Sequence, residues 1–226
     1  MDRVSAESKP QTRAVLLDAL GTLVELEPPW PLLGTALGDE VAPQRVEAAV
    51  RAEMRYYRDH SHEGRDPASL AELRRRCAAV LSKALGRAVD VDTLMSSIRF
   101  RPYPDAMPAL ERLRDRGAKL VCVSNWDCSL PDVLARCGLD GALDGVVVSA
   151  TAGARKPAAE IFDRALEIAG CEPEEAVHVG DTAEEDVDGA RAAGIRALYL
   201  DRDGDGDANG APRIASLSEI EGVLWA

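Results

Sequence analysis

Three short apolar runs in this chain each stop at a polar residue. Ala14 to Leu17 stops at Asp18, Leu120 to Val123 at Ser124, and Ala176 to Val179 at Gly180-Asp181. Apolar runs of this length read as buried strands, and the glycine that soon follows Asp18 favours strand then loop over helix. Val146 to Val148 and Ala197 to Leu200 have the same character. Between them lie amphipathic helical stretches. Met107, Leu110 and Leu113 share one face, with Gly117 as a stop; Ile161, Phe162, Ala165, Leu166 and Ile168 form another, closed by Gly170. Strands that alternate with helices predict an α/β fold: a Rossmann-like parallel sheet with helices on both faces. Ligands of such sheets bind beyond the carboxyl ends of the strands, where Asp18, Ser124 and Asp181 would stand.

The first two of those runs are separated by a stretch of different character. A proline cluster (Pro28, Pro29, Pro31) is expected to break regular structure. From about Val41 to Ile98 the apolar residues recur at helical spacing, as in Val46, Val50, Met54 and Tyr57, then Leu70, Leu73, Cys77, Val80 and Leu81. This predicts two helices and a shorter third, broken near His62 to Pro67 and near Gly86. The expected organisation is a polar, disordered leader over 1–12, a core over 13–26 and 101–226, and a small α-helical cap domain over 27–100.

Composition narrows the partners. The 226 residues are 46% hydrophobic and 29% charged, with a formal net charge of -12. That charge disfavours nucleic acid and anionic membranes as partners, and no apolar run approaches the roughly 20 residues a spanning helix needs. Five cysteines, none in a CxxC pair, fit core thiols in a reducing compartment, so a cytoplasmic protein is expected, as monomer or homodimer.

Four segments in order then carry a family resemblance. Asp18-Ala19-Leu20-Gly21-Thr22, Ser124-Asn125, Lys156-Pro157 and Gly180-Asp181-Thr182-Ala183-Glu184-Glu185-Asp186 resemble the four motifs of the haloacid dehalogenase (HAD) superfamily. The likeness runs through nearly the whole chain from about Arg13, and the helical insert is similar to the cap that the superfamily places after its first motif. The resemblance implies a hydrolase with Asp18 as nucleophile, Thr22 and Ser124 as hydroxyl donors, Asn125 beside them, and Lys156 neutralising charge on the transferring group. Pro157 is expected as a first helical residue there. Asp18, Asp181 and Asp186 are implied as ligands of Mg²⁺, a hard cation suited to carboxylate oxygens. Glu184 and Glu185 are expected to face solvent at a helix start. The implied substrate is a small phosphorylated or otherwise anionic metabolite.

One position departs from the pattern. Phosphatases of this superfamily carry a second Asp two residues after the nucleophile, which protonates the leaving alkoxide and later deprotonates the attacking water; here it is Leu20. Loss of a general acid/base costs roughly 10² to 10⁴ in rate. A Mg²⁺-dependent phosphoryl hydrolase therefore needs an easy leaving group or another acid. The alternatives are a metal-free 2-haloacid dehalogenase, where departing halide needs no proton, and a catalytically weak relative that binds a ligand or partner. A phosphonate hydrolase would need a cap lysine, and Lys83 is the candidate.

Two further clusters read as a solvated helix terminus and a mobile acidic loop. His60, His62 and Glu63 fall at a helix end beside a turn. Asp201, Asp203, Asp205, Gly206 and Asp207 have the spacing of a calcium loop, but its twelfth position is Pro212 where a bidentate Glu is required. Of the insert, Tyr57, His60 and several arginines are candidates to line the site.

Overall fold

The computed structural model describes residues 11–38, 41–204 and 206–225. Residues 1–10 of the expected leader and Asp205 of the acidic loop lie outside them. Thr12, the last leader residue, is buried and accepts a hydrogen bond from Arg196 at 2.6 Å.

The strands are β1 (Ala14–Leu17), β2 (Val24–Leu26), β3 (Phe100–Pro102), β4 (Lys119–Ser124), β5 (Gly145–Val148), β6 (Ala176–Gly180), β7 (Arg196–Leu200) and β8 (Arg213–Ile214). Six of them form one parallel sheet in the order β5-β4-β1-β6-β7-β8. The central strand shows why helices cover both faces. All of β1 is buried, and its side chains alternate. Val15 and Leu17 pack in one layer with Leu110 and Leu113 of helix α5 (Ala106–Asp115) and with Leu130 of α6 (Leu130–Arg136). Ala14 and Leu16 pack in the opposite layer with Ile161, Phe162 and Ala165 of α8 (Ala159–Ala169).

The helical insert has a core of its own. Its helices are α1 (Pro29–Leu37), α2 (Pro43–His60), α3 (Pro67–Leu85) and α4 (Val91–Ser97), packed around Leu33, Val46, Val50, Leu73, Leu81 and Leu94. The two longer helices and the shorter third match the expected spacing, and Gly86 caps α3 in the left-handed region. The proline cluster does not break the chain. Pro29 instead opens α1, because the first amides of a helix have no helical partner to lose. The insert joins the core through β2 and β3, an antiparallel pair that the sequence did not reveal: Val24 to Leu26 is short, and its partner lies some 75 residues away at Phe100 to Pro102. Among the described residues, no helix is long and apolar enough to cross a membrane. All five cysteines are free.

Candidate active site

The sheet order makes β4, β1 and β6 neighbours, so Ser124, Asp18 and Asp181 meet at one edge. Register places Leu17 opposite both Cys122 and Val179, and the Asp18 amide donates to Val179 O at 2.9 Å. Asp18 then stands at the floor of a cavity of about 320 Å³. Ser124, Asn125, Lys156, Asp181 and Asp186 line it as well, while α2, α3 and α4 form the facing wall.

Lys156 is the pivot of this floor. Its side chain is wholly buried, and its ammonium donates to Asp18 Oδ1 at 2.6 Å and to Asp186 Oδ1 at 2.5 Å. Burial alone would lower its pKa, but the two carboxylates outweigh burial and hold it charged. The Lys156–Pro157 peptide is cis, and α8 begins only at Ala159, so Pro157 precedes the helix instead of opening it. Asn125 fixes this loop: its Oδ1 accepts from Lys156 N at 2.8 Å and its Nδ2 donates to Lys156 O at 3.0 Å. Asn125 thus meets the Lys156 backbone with both ends of its amide.

Asp186 holds three partners with its two oxygens. Oδ1 accepts from Lys156 and pairs with His178 Nε2 at 2.8 Å, and Oδ2 accepts from Thr182 N at 3.0 Å. Burial opposes its charge, yet Lys156 and His178 prevail and hold the carboxyl below its usual range. Asp18 goes the other way. Burial, with the charge of Asp186, raises it despite Lys156 and a hydrogen bond from Ser124. Asp181 is pushed up to about 7, first by burial and then by the charges of Asp18 and Asp186. Three carboxylates share one lysine. One oxygen from each of Asp18, Asp181 and Asp186 lies within 4.8 Å of the others. Such excess negative charge among hard oxygen donors suits a divalent cation.

Two glycines make this approach possible. A Cβ on Gly21, whose φ is +85°, would fall 1.9 Å from Asp181 Oδ2, and one on Gly180 would fall 2.1 Å from Asp186 Cγ.

Other expected positions fall elsewhere. Thr22 is wholly buried and does not line the cavity; its hydroxyl finds no partner among the described residues. The amides of Gly21 to Val24 close the loop on Ala19 O and Val24 O, so they form no anion cradle. Glu184 is exposed, but Glu185 is half-buried, lines the cavity and faces Arg155 at 3.5 Å. Both lie in a π-helical turn, Ala183–Asp188, not at the start of an α-helix. Tyr57, Arg58 and Arg74 line the cavity, whereas His60 stacks on Tyr56 and Glu63 pairs with Arg76. Asp201 accepts from Gly204 N and Gly206 N and pairs with Arg213 at 2.9 Å, a loop-closing role.

His178 and Arg202 are among the residues at or beneath the site that escaped sequence reasoning. His178 interrupts the apolar run of β6, which is the signal that could have found it. Arg202 had none: it donates to Gly21 O and Thr22 O, pairs with Asp105, and lies 3.7 Å over the Tyr103 ring, bracing the Asp18 loop from below.

A family model described as haloacid dehalogenase-like hydrolase matches residues 12–194, most of the chain. The chain belongs to that family. Relatives and solved structures of the HAD hydrolases differ in named activity. The chain is 36% identical over 129 residues to the phosphoserine phosphatase of Thermus thermophilus, covering 54% of this chain and 51% of that protein. It spans about half or less of the length of the curated relatives it matches. A HAD phosphatase from Thermococcus onnurineus shares the fold with TM-score 0.68 and 28% identity, over 95% of this chain and 98% of the other. A 2-haloacid dehalogenase from Pseudomonas syringae pv. Tomato DC3000 does so with TM-score 0.65 and 27% identity, over 96% and 100%. The choice between these activities rests on the site.

Proposed function

We propose that this HAD hydrolase is a Mg²⁺-dependent phosphoryl hydrolase that works through an aspartyl phosphate at Asp18, with residues 27–100 as a cap over the site. The observation that carries the reading is the cluster of Asp18, Asp181 and Asp186 around a single lysine at the cavity floor. Asp18 and Asp181 offer oxygens for the ion, and Asp186 completes the set while holding Lys156 and the Thr182 amide. When bound, Mg²⁺ would neutralise the non-bridging oxygens of a phosphoryl group and the carboxylates around it. Asp18 supplies the attacking oxygen. Lys156, kept charged beside it, stabilises the charge that builds on the transferring group, in a site where preorganised charge acts with little solvent competition. Ser124 adds a hydroxyl at the same floor, and Asn125 keeps the lysine loop in place. The substrate is a small phosphorylated metabolite.

Leu20 lines the cavity and is 39% exposed, so the position that carries the acid in HAD phosphatases is apolar here. That observation favours a second reading, a haloacid dehalogenase. Against it, three carboxylates that a single lysine neutralises only in part would repel a haloacid's own carboxylate. The phosphonate alternative loses its lysine, since Lys83 is exposed on α3 and does not line the cavity.

The test is a Mg²⁺ titration with 4-nitrophenyl phosphate, whose leaving group needs no acid. Turnover that rises with Mg²⁺ and is absent in Asp18→Asn is expected; none above that control sinks the reading. Halide released from 2-chloropropionate in EDTA would establish the dehalogenase instead. Turnover of neither leaves a binding protein on a hydrolase fold.

A further inference from the structure

In-line displacement at phosphorus puts the leaving oxygen on the side away from the attacking one. With Asp18 on the floor, that side faces the helical insert. A group that protonates the leaving oxygen in place of Leu20 must therefore come from the insert wall, within the cavity they share.

Among the described residues few candidates exist there. The arginines Arg58 and Arg74 do not give up their protons. The Tyr57 hydroxyl is committed to Asp127, to which it donates at 2.7 Å. Cys77 lines the cavity, but burial and the Glu53 carboxyl push its thiol far up. Glu53 of α2 remains. It is 5% exposed and lines the cavity, and among the described residues no ion pair forms to it; the Cys77 thiol hydrogen-bonds to its carboxyl. A buried carboxyl without a cation keeps its proton more readily than an exposed one. Burial raises Glu53 accordingly.

We propose that Glu53 replaces the missing acid at Leu20, donating its proton from the cap to the leaving oxygen of an alkyl phosphate; this rests on the phosphoryl-hydrolase reading above. As Asp18 bonds to phosphorus, the bond from phosphorus to the leaving oxygen breaks and that oxygen takes the Glu53 proton. An alcohol departs, leaving aspartyl phosphate and the Glu53 carboxylate. A water then adds to phosphorus, returns a proton to Glu53, and the bond from phosphorus to Asp18 breaks to release inorganic phosphate. On the core side the other carboxylates of the cavity are engaged: Glu185 faces Arg155, and Asp127 accepts from Tyr57 and Ser129 N.

The experiment compares propyl phosphate with 4-nitrophenyl phosphate at saturating Mg²⁺. Glu53→Gln is expected to lose on the order of 10² to 10⁴ in kcat/KM on the alkyl ester and less than about tenfold on the aryl ester. Adding Leu20→Asp to that variant should recover at least about tenfold on the alkyl ester, since an acid returns at the position that lost it. Equal losses on both esters, or none on either, would overturn the proposal. So would an intact chain that hydrolyses the aryl but not the alkyl ester. A series of aryl phosphates gives a measure on the intact chain: kcat/KM should depend only weakly on leaving-group pKa, and a steep dependence would exclude a proton donor. An intact chain inactive on every ester fails the phosphatase reading itself, and Glu53 with it.

Discussion

The hydroxyl of Tyr57, on α2 of the insert, donates to the buried Asp127 carboxylate of the core at 2.7 Å. Burial and the charge of Asp127 hold the phenol well above its usual range, which keeps it the donor in this pair. Among the described residues the Asp127 carboxylate has one other hydrogen-bond partner, the Ser129 amide at 2.7 Å, and Gly64 O accepts from Cys128 N at 2.8 Å beside it. The contact thus ties the insert to the loop that follows Ser124-Asn125. Tyr57→Phe leaves a buried carboxylate oxygen without its donor, which costs about 1–3 kcal/mol. The expected result is a lower urea midpoint and a raised KM for 4-nitrophenyl phosphate. A double-mutant cycle with Asp127→Asn should show coupling, on the order of 0.5–3 kcal/mol for residues in contact. Additive effects would mean that the bond does not hold the two parts together.

Asn125→Ala removes both hydrogen bonds to the Lys156 backbone. The lysine keeps its two carboxylate partners, so the fold should persist while the ammonium loses its fixed position. Misplacement by about 1 Å costs on the order of 10² in rate. The expected signature is a fall in kcat of roughly that size with KM little changed, as befits a group that helps only when charge builds on the transferring group. A change confined to KM would make Asn125 a substrate contact instead.

Metal binding should register in stability as well as rate. At a Mg²⁺ concentration 100 times its Kd, binding stabilises the fold by about 2.7 kcal/mol, which corresponds to roughly 5 to 10 °C in Tm for a chain of this size. Asp181→Asn should abolish that shift, yet without Mg²⁺ it should be no less stable than wild type, because it removes a carboxylate crowded by Asp18 and Asp186. The ion competes with the proton on Asp181, whose carboxyl is pushed up to about 7. The shift should therefore be full near pH 8 and shrink as pH falls below 7. A thermal shift that ignores pH over this range would remove Asp181 from the ligand set.

The strand ends were legible because a buried strand declares itself by an apolar run, and a polar residue that ends it stands out. Asp18, Ser124 and Asp181 were found that way, and the structure brings them to one edge. Lys156 and Asp186 were legible by motif, but not the fact that one holds the other. Thr22 matched by motif too, yet its hydroxyl turned inward, because loop conformation and not residue type decides which way a side chain points. Glu53 could not be singled out. It sits at helical spacing among other charged residues of α2, and only the packing of α3 against that helix makes it a buried residue facing the cavity. The β2–β3 pair was hidden for a related reason, since it joins segments on either side of the insert.

Glu53 should leave a mark on stability independent of catalysis. Burial raises its carboxyl above the 4.5 of an exposed glutamate, with a hydrogen bond from Cys77 as the smaller, opposing effect. The folded chain then keeps a proton that the unfolded chain has already released. The stability associated with protonated Glu53 is fully present below about 4.5 and is lost as pH rises through the folded-state value, because each increment favours the unfolded carboxylate. Glu53→Gln keeps the shape and an acceptor for the Cys77 thiol, but has nothing to titrate. The variant should therefore gain on wild type as pH rises from 4.5 toward 8, with the difference read as the gap between urea midpoints at each pH. Arg58 and Arg74 line the same cavity and stay charged in both proteins, and Cys77, whose thiol is pushed far up first by burial, keeps its proton in the fold over this range. Midpoints that run parallel across the range would mean that Glu53 ionises as freely in the fold as outside it. It would then hold no proton to give at neutral pH, and its assignment as the acid would fall with that result.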